Sequence, residues 1–261
     1  MPSVAFIMLD GVRPDALTTA HCPTLDYLRE RGASTMQARS IMPSITLPCH
    51  TSIFHSVPPT RHGITSNTFI PMARPLPGLV EVARAAEKRV AFFYNWEQLR
   101  DLARPGHIHY AYFRDSADDP DGDDEIVAEA RRFIQKDKPD FLFLYIGTVD
   151  TTGHAYGWMS KEYLKQLERV DSLLNGFFES LPSEYTSIVQ SDHGGHDRNH
   201  GTDSDEDMII PCMAVGPNIK KGYTIQSQVS LLDTAPTIAK LFGIQPHHEW
   251  EGKCMEEIFV A

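Results

Sequence analysis

The sequence predicts an α/β fold, a three-layer αβα sandwich built on a mostly parallel central sheet. Three observations carry this expectation. Short apolar runs alternate with longer amphipathic ones along the chain, the order expected of strands joined by helices. The run Phe141-Leu-Phe-Leu-Tyr-Ile146 is apolar throughout, so its strand should be covered on both faces of the sheet. Tyr163, Leu167, Val170, Leu173, Leu174 and Phe177 recur at helical spacing and mark one buried face of a long helix.

Taken in order, the apolar runs place strands at Val4–Leu9, Ser34–Ala38, Val90–Tyr94, Phe141–Ile146, Thr186–Gln190 and Ile209–Val215. The amphipathic runs place helices at Thr24–Arg31, Leu79–Lys88, Asp124–Lys136, Lys161–Leu181 and Leu232–Phe242. A further helix is expected from Leu47 to His55, because Pro48 suits a first helical turn. The stretch Pro58 to Pro77 is rich in Pro, Gly and polar residues, and Arg104 to Gly122 is irregular and acidic towards its end. Both read as loops over the sheet or as a much-reduced cap.

At 261 residues, with no repeat and no low-complexity linker, the chain is expected to form one domain over residues 1–261. A hydrophobic share of 41% and a charged share of 23% fit an ordinary soluble protein with a substantial core. The net charge of -11, without a basic tract, argues against general nucleic-acid binding. A small anionic substrate stays open, since bound cations can reverse a local field. Cys22, Cys49, Cys212 and Cys254 are widely separated and form no CxxC pair, which fits free thiols in a reducing compartment. The first apolar run has no basic leader or cleavage site, and no run reaches membrane length. The expectation is therefore a cytoplasmic protein without membrane attachment, its oligomeric state left open.

Ligands of open α/β sheets collect at the carboxyl ends of strands. Asp10 follows the first strand, Asp150 follows Phe141–Ile146 after a short connection, and Asp192-His193 follows Thr186–Gln190. Three strand ends thus deliver acidic groups to one rim, the layout of a metal site, although each Asp alone also suits a helix cap or turn. In Asp150-Thr-Thr-Gly-His154 the carboxylate and imidazole share a face if a helix begins there. Ser191-Asp-His-Gly-Gly195 sets an adjacent carboxylate and imidazole at a strand end, a pairing suited to zinc-like cations. His200 adds an imidazole, and His196 between them stands as a ligand, a donor that supports a ligand, a substrate contact or plain surface. Thr46 sits at the mouth of the Leu47–His55 helix, where the dipole favours an anion; it reads equally as a cap or as a nucleophile.

Together these segments resemble the alkaline phosphatase superfamily, most closely its nucleotide pyrophosphatase/phosphodiesterase branch. The stretches that carry the resemblance are Met8-Leu-Asp-Gly-Val-Arg-Pro-Asp15, Pro43 to Ile64, Asp150 to His154, Ser191 to Gly194, His200-Gly-Thr202 and Leu232-Asp-Thr-Ala-Pro-Thr237. They run in order along nearly the whole chain. The resemblance implies an alkaline-phosphatase-like fold and two divalent metal ions; the chain is short for the family, which leaves room for little or no cap, and His and carboxylate ligands suit zinc, with manganese or iron as alternatives. It assigns Asp150, His154 and His200 to one ion, and Asp10, Asp192, His193 and the Thr46 hydroxyl to the other. It implies Thr46 as the nucleophile that forms a phospho-threonine on a small-molecule phosphate diester or nucleotide pyrophosphate.

The sequence departs from the family pattern at Cys49, where related diesterases usually carry an asparagine that donates to phosphate. Cys49 itself stands as a candidate substrate contact, although a thiol is a much weaker donor; the backbone N–H of Leu47 or a residue such as Asn67 is the expected replacement. Phosphomonoester hydrolysis would want further cations, with Arg13, Arg61 and Arg198 as candidates. A phosphonate hydrolase and a catalytically silent metal-binding protein of the same fold are the alternatives. A sulfatase is disfavoured, because Thr46 and His50 stand where that class has its modified Cys or Ser and its Arg.

Overall fold

The computed structural model describes residues 3–260. The chain opens with β1 (Ser3–Leu9), α1 (Pro14–Thr19), α2 (Pro23–Arg31) and β2 (Ala33–Arg39). It continues through α3 (Thr46–His55), α4 (Pro59–His62), α5 (Leu79–Ala85), β3 (Val90–Tyr94) and β4 (Tyr110–Phe113). The middle holds α6 (Gly122–Asp137), β5 (Phe141–Ile146), α7 (Thr148–Tyr156), α8 (Lys161–Ser180) and β6 (Tyr185–Gln190). The last part carries α9 (Asp205–Met208), β7 (Ile209–Val215), β8 (Tyr223–Thr224) and α10 (Thr234–Leu241).

All eight strands join one sheet in the order β4-β3-β5-β1-β6-β7-β2-β8, so the first strand lies at the centre. Only β7 runs against its neighbours, pairing antiparallel with both β6 and β2. Side chains alternate between the two faces of the sheet. Val4, Phe6 and Met8 of β1 join one apolar cluster with Leu47, Ile53 and Phe54 of α3 and Ile238 of α10. Ala5, Ile7 and Leu9 join the other, with Leu25 and Leu28 of α2, Ile126 and Ile134 of α6 and the predicted stripe of α8. The three-layer sandwich expected from the sequence is therefore present, with helices on both faces.

Five short elements, α1, α4, α9, β4 and β8, were not legible. The segment Arg104 to Gly122, expected to be a loop, contains the edge strand β4, in which exposed Ala111 and Phe113 alternate with half-buried Tyr110 and Tyr112. Four residues are too few for a period of two to register. α1 spans six residues and buries only Ala16 and Leu17, and β8 has two residues. The helix expected from Leu232 begins instead at Thr234. Asp233 Oδ2 accepts from Ser230 N at 2.8 Å, holding Leu231–Asp233 as a 3₁₀ turn. The Pro58–Pro77 stretch is irregular apart from α4.

The register positions the functional rim. Leu9 pairs with Ile146 of β5, and Met8 pairs with Gln190 of β6, so all three strands end at one level. Asp10 N donates to Ile146 O at 3.0 Å, carrying the first carboxylate out beside the start of α7. No helix among the described residues is long and apolar enough to cross a membrane.

Candidate active site

Three loops leave this rim and cross within a few ångströms of each other. Gly11, with φ +69°, lies where a Cβ would stand 2.9 Å from Asp150 Oδ1, so a side chain would meet the carboxylate and strain the backbone. Gly11 O accepts from Trp158 Nε1 at 2.9 Å and from Tyr163 OH at 2.8 Å, locking the exit of β1 to α8. Gly11 N lies 3.3 Å from Asp192 Oδ1, and Val12 N donates to Ser191 Oγ at 2.9 Å, which ties it to the exit of β6.

The rim holds two sets of three ligand-type side chains: Asp10, Asp192 and His193, and Asp150, His154 and His200. Within each set one ligand atom per residue lies within 4.8 Å of the others. In the first, His193 Nε2 stands 3.2 Å from Asp10 Oδ1 and 3.5 Å from Asp192 Oδ2. In the second, His154 Nε2 stands 3.4 Å from Asp150 Oδ2, and His200 Nε2 3.7 Å from Asp150 Oδ1. α7 delivers Asp150 and His154 one turn apart, the shared face expected for that spacing. The rings of His193 and His200 stack with centroids 3.8 Å apart, which joins the two sets.

The hydrogen bonds of the three histidines define what they offer. His193 Nδ1 faces Gly194 O at 2.8 Å, His154 Nδ1 faces Arg198 O at 2.9 Å, and His200 Nδ1 faces Ser44 O at 2.8 Å. A carbonyl only accepts, so each Nδ1 carries a proton and Nε2 is the ring nitrogen left to present a lone pair to the site. His154 and His200 direct these lone pairs at each other across 3.2 Å. Buried carboxylate oxygens, Asp10 Oδ1, Asp150 Oδ1 and Asp192 Oδ2, have no hydrogen-bond partner. Acceptors facing acceptors repel unless a cation lies among them, so the donor set fits divalent metal ions.

The electrostatics agree. Burial raises the Asp10 carboxyl well above the usual range, with repulsion from Asp192 and Asp150 adding to it. Burial and then Asp192 do the same to Asp150, and burial raises Asp192. Burial pushes His193 down to about 4 and His200 down to about 3. Burial disfavours charge of either sign here; the mutual repulsion of the carboxylates is what a bound cation would relieve, and the depressed imidazoles stay available to it as neutral ligands.

Thr46 is the first residue of α3, and its Oγ1 lies 3.2 Å from His193 Nε2. A 230 Å³ cleft opens here, lined by Thr46, Asp10, Asp150, His154 and His200 together with Asn67, Trp96, Ala117, Asp118, Tyr145 and Thr151. Cys49 does not line it. The thiol is wholly buried in the core, 3.3 Å from Ser40 Oγ, and burial raises its pKa well above normal. Cys49 packs into the apolar core beneath α3 and is unsuited to contact a ligand. Asn67 stands in the cleft instead and accepts from Leu47 N at 3.0 Å. That contact occupies its oxygen and leaves the amide N–H₂ as the free end. His196 also lies outside the cleft lining and pairs through Nδ1 with Asp207 Oδ1 at 2.7 Å.

A family model described as type I phosphodiesterase / nucleotide pyrophosphatase matches residues 4–89 and 80–210. The chain belongs to this family. Its relatives include the human ectonucleotide pyrophosphatase/phosphodiesterase family member 1, 27% identical over 219 residues, covering 74% of this chain and 23% of that protein. An uncharacterised pyrophosphatase/phosphodiesterase of Schizosaccharomyces pombe is 28% identical over 218 residues, covering 74% of this chain and 44% of its own length. The chain thus spans less than half the length of these curated relatives. Murine ectonucleotide pyrophosphatase/phosphodiesterase 5, solved as an inactive variant with AMP, superposes with TM-score 0.77 at 17% identity, covering 95% of this chain and 97% of that one. A variant of the alkaline phosphatase PafA superposes with TM-score 0.82 at 12% identity, covering 99% of each chain. These structural likenesses show the fold, which is alkaline-phosphatase-like.

Four site residues of this family member escaped the sequence reading. Tyr145 donates from its hydroxyl to Asp10 Oδ2, the oxygen opposite the unpartnered one. Asp207 accepts from Thr202 N at 2.8 Å and Thr202 Oγ1 at 2.7 Å, holding the loop that carries His200. Fully buried Asp123 accepts from Gly147 N at 3.1 Å and Thr148 N at 3.2 Å, anchoring the start of α7. Asp118 lines the cleft. Their only sequence signal is an acid or aromatic among many, and partners lying far along the chain give them their roles.

Proposed function

We propose that the chain hydrolyses phosphate diesters, nucleotide pyrophosphates included, with two divalent cations and a phospho-threonine at Thr46. One observation carries the reading: three Nε2 lone pairs and three unpartnered carboxylate oxygens gather at the rim, one of those Nε2 atoms 3.2 Å from a hydroxyl at a helix N-terminus. Asp150, His154 and His200 would hold one cation, and Asp10, Asp192, His193 and the Thr46 hydroxyl the other. Zinc suits these N and O donors, with manganese or iron as alternatives. When bound, such ions supply Lewis-acid charge that eases proton loss from a hydroxyl and offsets charge on the phosphoryl oxygens.

Thr46 Oγ1 forms the new bond to phosphorus while the bond to the departing alcohol breaks, its electron pair leaving on that oxygen. Water then cleaves the phospho-threonine, and two inversions give net retention. The α3 N-terminus favours the anionic phosphoryl group. The free amide of Asn67 is suited to donate to a non-bridging oxygen. A diester is favoured over a monoester because the cleft lining contains no Lys or Arg. Arg13 is committed to Asp15 and Gly195 O, and Arg61 to Glu249. Four unpaired cysteines support a cytoplasmic location.

The test is turnover of bis-p-nitrophenyl phosphate against p-nitrophenyl phosphate, with zinc or manganese added. The diester should be hydrolysed faster. No turnover of either, with metal bound at both sets, would sink the proposal.

A further inference from the structure

The second ligand set of the rim is drawn from two separate segments, Asp150 and His154 from α7 and His200 from the loop after β6. One side chain touches both segments. The indole of Trp158, 7% exposed, meets the His154 ring in a T-shaped arrangement, with centroids 5.0 Å apart and planes at 87°. The same indole lies 5.8 Å from the His200 ring at 64°. Gly153 of α7 and Gly195 of the loop come so close that a Cβ would stand 2.7 Å and 2.2 Å from Trp158 Cε2. Trp158 N donates to Asp197 O at 2.7 Å, and Trp158 Nε1 donates to Gly11 O at 2.9 Å. Trp158 therefore joins α7, the loop that carries His200 and the exit of β1 beside Asp10.

His154 needs such a wall. Its side chain is 41% exposed, and the hydrogen bond from Nδ1 to Arg198 O restrains the ring at one atom only. An imidazole packed against a buried indole has fewer orientations open to it, and edge-to-face contact between rings is itself favourable. Nε2 is thereby held towards Asp150 and His200 before any cation arrives. Order already present in the free protein does not have to be created on binding, and groups that orient a ligand set its affinity for metal. The two glycines that make room for the indole stand next to His154 and two residues after His193. Trp158 is thus set among the ligands and does not merely fill the core behind them.

We infer that Trp158 is a positioning residue for the second cation. It holds His154 and His200 in ligating orientation and acts through those rings, without lining the cleft in which a substrate would sit. This rests on the two-cation reading above and adds a residue that the reading does not use.

The experiment titrates zinc into the metal-free protein and reads both sets by calorimetry, in the wild type and in Trp158→Met and Trp158→Phe. Met keeps apolar bulk but is flexible, whereas Phe keeps a flat, rigid ring. Trp158→Met should weaken zinc at the second set by about 10–100-fold, the usual cost of losing a group that orients a ligand. The first set should bind as in the wild type, and Trp158→Phe should recover most of the loss. Unchanged affinity at the second set in Trp158→Met, an equal loss at both sets, or a Phe variant as weak as the Met one would overturn the inference. Should Trp158→Met not fold, nuclear Overhauser contacts in the metal-free wild type decide. Contacts from the indole to both imidazoles, present before zinc and kept after it, support pre-set ligands; their absence before zinc overturns the inference. A wild type that binds no zinc at either set would refute the two-cation reading, and the same contacts would still decide whether Trp158 sets the rings.

Discussion

The two ligand sets at the rim differ in burial more than in chemistry. The side chains of Asp10, Asp192 and His193 are 0–1% exposed, whereas Asp150 is 14%, His200 7% and His154 41% exposed. The first set comes from the ends of the central strands β1 and β6, so the sheet itself holds it. The second rides on α7 and on the loop after Asn199, braced by Asp123 and Asp207. The inner set thus lies deep beside Thr46, and the outer set faces solvent, where on the proposed mechanism an alcohol would depart and water arrive. On that reading one layout would separate a fixed site for attack from an accessible site for exchange.

The sharpest break of this comparison is Thr46→Ala. It removes the hydroxyl between the sets and should lower turnover on the order of 10⁴-fold or more while metal content stays the same. Retained activity would exclude Thr46. Next come single-ligand changes. His200→Ala should empty the outer set and leave the inner one filled, while Asp10→Asn should do the reverse; elemental analysis reads both. Both sets staying full in either variant would refute the ligand assignment. Asn67→Ala leaves all ligands in place and should cost about 10²–10³-fold in kcat, the usual worth of one donor to a developing anion. An unchanged kcat would return the donor role to another group.

The smallest effect is in pH. In the metal-free protein, burial raises Asp10, Asp150 and Asp192, so the folded state favours their protonated forms. That contribution is complete below the ordinary carboxylate range and is lost as pH rises through the raised values. His193 and His200 act in the opposite sense: their contribution is present above 6.5 and is lost as pH falls towards about 4 and about 3. Metal binding must displace the carboxyl protons, whereas the imidazoles are already neutral near pH 7. Affinity should therefore climb with pH, and calorimetry in buffers of different ionisation enthalpy should record proton release. Release that vanishes in Asp10→Asn would assign it to the inner set, and no release at all would contradict the raised carboxyls.

Much of this was legible because the relevant signals are local. Apolar strands such as Phe141–Ile146 and the stripe of α8 announce their burial through periodicity alone. Asp10, Asp150 and Asp192 announce themselves by following strands, and a parallel sheet brings such ends to one rim. β4 and α1 were invisible because so few residues leave propensity no period to sum. Cys49 misled for a different reason. A spacing of three puts Cys49 on roughly the same helix face as Thr46, but it does not say how α3 packs, and α3 sets that position in the core.

The sequence alone determined the layered α/β fold, the family and the residue types at the rim, because hydrophobic period and motif order are written along the chain. Only the tertiary structure decided which acceptors face one another, that Asn67 and not Cys49 stands beside Thr46, and that Trp158 stands against His200. Those facts depend on contacts between residues tens to hundreds of positions apart. Packing, and not local propensity, sets such distances.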